Sequence, residues 1–287
     1  MGKQKRSENT YQKINTLYKR DENGKIMPWE SWVAPELEWM RKLKFEATEK
    51  IDGTNMRFEV WPTLITDEDT ITIKFEYVIK GKTDNANIRK ELYQVMEDTF
   101  VTKLDDIIKT FYKVDNQVIM VSRNDENVEL VELGLIAKLD GDWRLGTAAK
   151  KVTFYGEGYG EGIRDKFHYC YGNRYIGFDI KVGETYLLPK VRRQIFEDLN
   201  IECVPFIGWL NIDEAVALVY NTFKTNIGDT DEIAEGIILS SPFGVRFRNS
   251  GERIIVKIKV KDFKDYLNKY PENKDKLTNL IVRNVSI

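Results

Sequence analysis

Apolar and polar positions alternate with a period of two at several places in the chain, and each such run predicts a strand. Phe45 to Ala47 and Met56 to Trp61 flank Glu49-Lys50-Ile51-Asp52-Gly53-Thr54-Asn55. This reads as strand, tight turn and returning strand with Lys50 at the corner. From Thr70 to Ile79, the residues Ile71, Ile73, Phe75, Tyr77 and Ile79 alternate with Thr72, Lys74, Glu76 and Val78, a half-buried strand running into a turn with Lys80 and Lys82. The period then changes. Ile88, Leu92, Val95, Met96, Phe100, Leu104, Ile107, Ile108 and Phe111 recur every three or four residues and predict amphipathic helix over 87–114, broken at 99–101. Short strands are expected at 117–122 and 128–139 around the turn 123–127, at 152–155 before a glycine-rich turn over 156–162, and at 175–182. A helix over 189–199 has Pro189 near its start, and one over 212–223 opens with Asp213. Strands at 204–209, 235–239 and 254–260 and a helix over 263–277, interrupted by Pro271, complete the pattern.

Residues 1–25 offer only Tyr11, Ile14, Leu17 and Tyr18 as anchors and read as a loosely docked arm. The Trp-rich stretch 27–43 (Trp29, Trp32, Trp39) is expected to pack beside the first strand. No repeat or linker divides the 287 residues. The expectation is a single α+β domain over 1–287, with mostly antiparallel sheets flanked by helices. No run approaches the ~18 apolar residues of a membrane span, and the basic start, Met1 to Arg6, has no apolar segment behind it. Membrane and secretory classes drop out. With net charge −2, only local patches can argue for a nucleic-acid partner. Two cysteines, Cys170 and Cys203, and one histidine, His168, are too few for a disulfide framework or a zinc site, so His168 and Cys170 are read as structural in a reducing cytoplasm.

Candidate chemistry lies where charge breaks the strand rules. Lys50 has the reach of a nucleophile, although a solvated lysine on an ordinary hairpin looks the same. Lys257 and Lys259 are two apart, so both project from one face of their strand. They suit a phosphate, or guard an exposed edge. Glu235 heads an apolar run and could hold a divalent ion, pair with a lysine, or simply start a strand. Glu157, among glycines, could meet a ribose or a metal, or sit at a hairpin tip, and Lys82 could reach a phosphate or stay in solvent.

Read in order, Lys50-Ile-Asp-Gly-Thr-Asn55, the Lys80-Gly-Lys82-Thr turn, Phe154-Tyr-Gly-Glu157-Gly-Tyr-Gly, Tyr175-Ile-Gly-Phe178-Asp179, Glu235-Gly-Ile-Ile-Leu and Lys257-Ile-Lys259 resemble the successive motifs of the covalent nucleotidyltransferases: DNA ligases, RNA ligases and capping enzymes. Within them the chain looks most like the phage RNA ligases of the RNA ligase 2 type. Asn55 stands where DNA ligases and capping enzymes usually carry Arg, and only 24 residues follow Phe263, too few for an OB domain. The resemblance implies an ATP-dependent RNA ligase, with Mg2+ or Mn2+, acting as a monomer on RNA 5′-phosphate and 3′-hydroxyl ends, in the host cytoplasm if of bacteriophage origin. By the same resemblance Lys50 becomes a lysyl-AMP, Lys257 and Lys259 meet the α-phosphate, Glu235 is associated with metal, and Glu157 contacts the ribose and joins the metal site. Phe178 stacks on adenine, with Tyr175 a second candidate, and Glu49 and Asn55 lie in the nucleotide pocket. Lys82 stands where the family has Arg, a loss of bidentate phosphate contact. Residues 115–150 match no motif. A minimal DNA or nick-sealing ligase and a non-catalytic binding module of the same fold are the rival readings.

Overall fold

The computed structural model describes residues 10–28, 31–163, 169–228 and 230–285. Met1 to Arg6, Trp29 and His168 lie outside them. In chain order, β1 (Asn15–Thr16), α1 (Glu36–Trp39) and β2 (Phe45–Glu49) precede the long hairpin of β3 (Thr54–Thr66) and β4 (Thr70–Gly81). The predicted helix follows as α2 (Lys90–Phe100) and α3 (Leu104–Tyr112), with a 3-10 turn at Val101–Lys103 as the break. Next come β5 (Val118–Ser122), α4 (Val128–Glu132), β6 (Ile136–Leu139), β7 (Asp142–Leu145), β8 (Val152–Gly160), β9 (Asn173–Val182) and β10 (Thr185–Tyr186). Then α5 (Pro189–Asp198), β11 (Phe206–Leu210), α6 (Ile212–Tyr220), β12 (Gly236–Ser240), β13 (Ile255–Lys259), α7 (Val260–Lys269) and α8 (Lys274–Val285) close the order.

Two sheets carry the fold. One is six-stranded and antiparallel, in the order β10-β9-β8-β3-β4-β5. The other is five-stranded, β1-β13-β12-β2-β11, antiparallel except for the parallel pair β1 and β13. This is the mixed α+β architecture, with helices outside antiparallel sheets, that the pattern predicts. Because strand side chains alternate, each sheet has an apolar and a polar face. Met56, Phe58 and Val60 of β3 and Ile71, Ile73 and Phe75 of β4 pack against Leu92, Met96 and Phe100 of α2 and Ile107 and Ile108 of α3. Phe45 and Ala47 of β2, Ile237 and Leu239 of β12, and Val256 and Ile258 of β13 pack against α6 and α7. Each such Phe, Leu or Ile contributes roughly 1.5–3 kcal/mol. The opposite faces share a cleft.

Several expectations change. β2 and β3 do not form a hairpin: they belong to different sheets, because the apolar face of β2 serves the α6 side and that of β3 the α2 side. Lys50 thus marks a crossover between sheets. The stretch 128–139 is not one strand. Leu130 is buried, and Gly134 at φ +69° ends the short α4 before β6 turns into β7, so 115–150 is an addition to the six-stranded side. Glycines 156–160 are not a turn but the second half of β8. A Cβ on Gly156 would collide with the Tyr175 ring, and one on Gly158 would sit 2.8 Å from Leu92, so glycine lets neighbours lie on the strand. α6 opens with Asn211, not Asp213: Asn211 Oδ1 accepts the Glu214 N–H at 2.9 Å, and Glu214 accepts the Asn211 N–H at 2.8 Å.

The arm is fastened rather than loose from Tyr11 onward. Asn15 and Thr16 pair with Val256 and Lys257, while Leu17 and Ile26 are buried. In the stretch 27–43, Trp32 packs against the α6-side core and Trp39 is exposed.

Candidate nucleotide site

Strand register brings the central charges together. In the five-stranded sheet, Glu49 lies opposite Ile237, Gly236 opposite Lys259 and Ile238 opposite Lys257. The residue after Glu49 and the residue before Gly236 therefore meet at the same end. The Lys50 N–H donates to the Gly236 carbonyl at 2.9 Å, and its ammonium donates to the Ile51 carbonyl at 3.2 Å and to the Glu235 carboxylate. The other Glu235 oxygen accepts from Lys259 Nζ at 2.5 Å. Lys257 lies half-buried nearby. Burial and then the like charges of Lys259 and Lys50 pull its pKa below the usual lysine value, with Glu235 opposing.

A pocket lined by residues of both sheets opens from Lys50. Glu49, Asn55, Glu157 and Phe178, the residues that the resemblance assigns to a nucleotide, all line it. Asn55 and Glu157 face each other across β3 and β8. Glu49 is only 1% exposed, and its carboxylate accepts from the Thr225 hydroxyl and from the Asn226 N–H at 2.8 Å. Burial raises its pKa against those hydrogen bonds. Tyr175 faces the other way, into the α2-side core, 5.2 Å from Phe100, and its buried hydroxyl has no hydrogen-bond partner among the described residues. Phe178 is thus the aromatic on the cleft side. Lys82 stands exposed on the turn after β4, outside the lining. That turn is held from below by Arg57, which is fully buried. The guanidinium donates to the Gly81 carbonyl at 2.6 Å, to Asp84, and to Glu59 at 2.7 Å.

Sequence reading missed Tyr11, Thr48, Arg192 and Ser240, which also line the pocket. A signal existed for two of them: Thr48 and Ser240 are the polar partners in the alternations of β2 and β12, on the side away from the helices. Arg192 gave none, since its role rests on contacts to Glu46 and, at 3.8 Å, to Asp179. A second pocket, lined by Tyr18, Trp32, Arg41 and Asp213, lies apart from the site lysines. Its charges are engaged with each other, Arg41 Nε standing 2.6 Å from Asp213.

Among the described residues no three His, Cys, Asp or Glu gather as a metal cage. Glu235, paired with Lys50 and Lys259, and Glu157, in the pocket lining, are the two carboxylates that the resemblance links to a metal. Such a sparse set fits a cation bound mainly through phosphate and water, which takes only one or two carboxylates from protein.

No curated protein matches the chain. Solved structures of a Naegleria gruberi RNA ligase are similar to it. The ligase with PPi matches at 16% identity and TM-score 0.47, over 94% of this chain and 64% of that one. A mutant with ATP and Mn matches at 16% and 0.45 over 90% and 63%, and a mutant with AMP and Mn at 15% and 0.47 over the same shares. The chain therefore spans a little under two thirds of the length of those structures. The family model described as RNA ligase matches residues 43–259, from just before β2 to the second site lysine of β13. The chain belongs to the RNA ligase family.

Proposed function

We propose that this protein is an ATP-dependent RNA ligase, of the phage RNA ligase 2 type, that works through a lysyl-AMP. The observation that carries the reading is the meeting of Lys50, Glu235 and Lys259 at the mouth of a pocket walled by Phe178, Asn55 and Glu157. In the first step the Lys50 amine, once deprotonated, attacks the α-phosphorus of ATP. An N–P bond forms, the α–β P–O bond breaks, and pyrophosphate leaves with the electron pair. An RNA 5′-phosphate oxygen then takes the AMP from Lys50, and a 3′-hydroxyl attacks the activated phosphorus, expelling AMP and closing the phosphodiester.

This chain's residues divide the work. Lys259 and Lys257 face charge developing on the phosphates, the stabilisation on which such transfers mainly depend. Phe178 offers a ring face for the base, Asn55 and Glu157 polar groups for sugar and phosphate, and Glu49, fixed by Thr225 and Asn226, shapes the base end. Glu235 and Glu157 would hold Mg2+ or Mn2+, whose contribution is to neutralise phosphate charge. The Lys50 and Lys259 ammonium groups now occupy the Glu235 carboxylate, as a cation would.

Sealing assays on all-RNA, all-DNA and mixed nicks and on single-stranded ends, with ATP and Mg2+, test the reading. RNA 3′-hydroxyl ends joined to 5′-phosphates are expected to seal fastest. Preference for all-DNA nicks would favour a DNA ligase, and RNA binding without any joining would favour a binding module.

A further inference from the structure

The family match starts at residue 43, yet one wall of the pocket comes from before it. Tyr11 and Ile14 both line the pocket. The Tyr11 ring makes a T-shaped pair with Phe178 and lies tilted against Tyr155, at 5.0 Å between centroids in both cases, and perpendicular to Tyr186 at 5.8 Å. Its hydroxyl donates to Asp179 at 2.8 Å, and Arg253 holds the same carboxylate at 2.7 Å. Gln12 donates to the Arg253 carbonyl at 3.1 Å, and Leu17 N–H to the Lys257 carbonyl at 3.1 Å. The segment is thus tied at one end beside Phe178 and at the other to the strand bearing the site lysines. Burial and then the Asp179 charge raise the Tyr11 pKa well above the usual phenol, so the hydroxyl remains a donor. A ring immobilised in this way has already lost the rotamer freedom that ligand binding would otherwise cost.

We infer that Tyr11 and Ile14 contact the bound nucleotide, so that the 10–16 segment completes the base end of the pocket and sets its affinity. This rests on the nucleotidyltransferase reading of the site, and the segment adds a second aromatic ring beside Phe178. An edge-to-face partner is favourable because the ring edge is positive and a π face negative.

The test measures the rate of lysyl-AMP formation against ATP concentration, with calorimetric AMP binding and melting temperature recorded in parallel. Tyr11→Ala is expected to raise the KM for ATP about tenfold with kcat within about twofold, as loss of one aromatic contact predicts. Tyr11→Phe should recover most of the lost affinity. Ile14→Ala should raise the KM about threefold, by loss of roughly one buried aliphatic contact. Lys13→Ala, exposed on the same segment, should change neither constant. An unchanged KM in folded Tyr11→Ala overturns the inference, as does a fall in kcat that tracks a lower melting temperature with no change in KM, which would make Tyr11 a structural prop. If Tyr11→Ala does not fold, Ile14→Ala decides, an unaltered KM there counting against the inference. Absence of lysyl-AMP in the wild type would defeat the enzymatic reading instead, and AMP calorimetry would still report on Tyr11.

Discussion

Lys257 shows what single residues cost at this site. It is half-buried beside Lys259 and Lys50, so its proton is held less tightly in the folded chain than in the unfolded one. Between its lowered folded value and the ordinary 10.5, the unfolded state binds more protons, so stability rises with pH; below that window the penalty is felt in full. Lys257→Met is therefore expected to melt above the wild type at pH 7, with the gap closing as pH approaches 10.5. Identical melting across that range would contradict the electrostatic account. The same variant should load AMP more slowly, as activity gives way where stability is gained. Lys82 is exposed and outside the lining, so on the proposed function it would meet RNA ends rather than ATP. Lys82→Ala should keep most lysyl-AMP formation and lose at least about tenfold in sealing, the scale of one charge-assisted phosphate contact; equal loss of both steps in single-turnover assays would refute that division. Lys50, Asn55, Glu157, Phe178 and Glu235 were legible as members of one candidate site because each lies in a short motif, and the motifs in order resemble those of the nucleotidyltransferases. Tyr11 was not, because its partner Asp179 is 168 residues away.

At the scale of elements, the crossover from β2 to β3 matters most. A four-residue passage, 50–53, must leave one sheet, expose Lys50 and enter the other, and Gly53 makes this possible. A Cβ there would collide with the Gly158 carbonyl and come 2.6 Å from Glu157 Cγ. Gly53→Ala should push β8 and Glu157 outward, costing about 1–3 kcal/mol of stability and slowing AMP loading. Urea unfolding and single-turnover loading would check both, and a variant as stable and as fast as the wild type would refute the close approach. The periodicities of β3, β4, α2 and α3 were readable since each buries one face on a core. The sheet each strand joins was not readable, because an alternation says which residues turn inward but not toward which helices. Glycines 156–160 misled for a related reason: the missing Cβ atoms serve Tyr175 and Leu92 from distant elements, not a local turn.

At the scale of the whole molecule, the two large sheets are held around a cleft by buried charge. Asp179 of β9 binds Arg253, next to β13, and lies 3.8 Å from Arg192 of α5, which in turn binds Glu46 of β2. Gly177 and Val204 add backbone hydrogen bonds at the same side, Gly177 to Glu202 at 2.8 Å and Val204 to Gly177 at 2.9 Å. Removing one member leaves its partners buried and uncompensated, so Asp179→Ala should cost about 3–5 kcal/mol in denaturant unfolding; a loss under about 1 kcal/mol would show that the network does not hold the sheets. A cleft fixed in this way keeps Phe178 and Lys50 on the wall of one pocket, the fixed geometry that transfer from a bound nucleotide to a lysine requires. The most direct measurement is incubation with ATP labelled at the α-phosphate and Mg2+, with GTP and NAD+ in parallel, followed by denaturation. The account predicts label from ATP alone, retained on the denatured chain, discharged by pyrophosphate and absent in Lys50→Ala. Folded protein free of bound AMP that takes label from none of the nucleotides, or Lys50→Ala that takes it as well as the wild type, would contradict it.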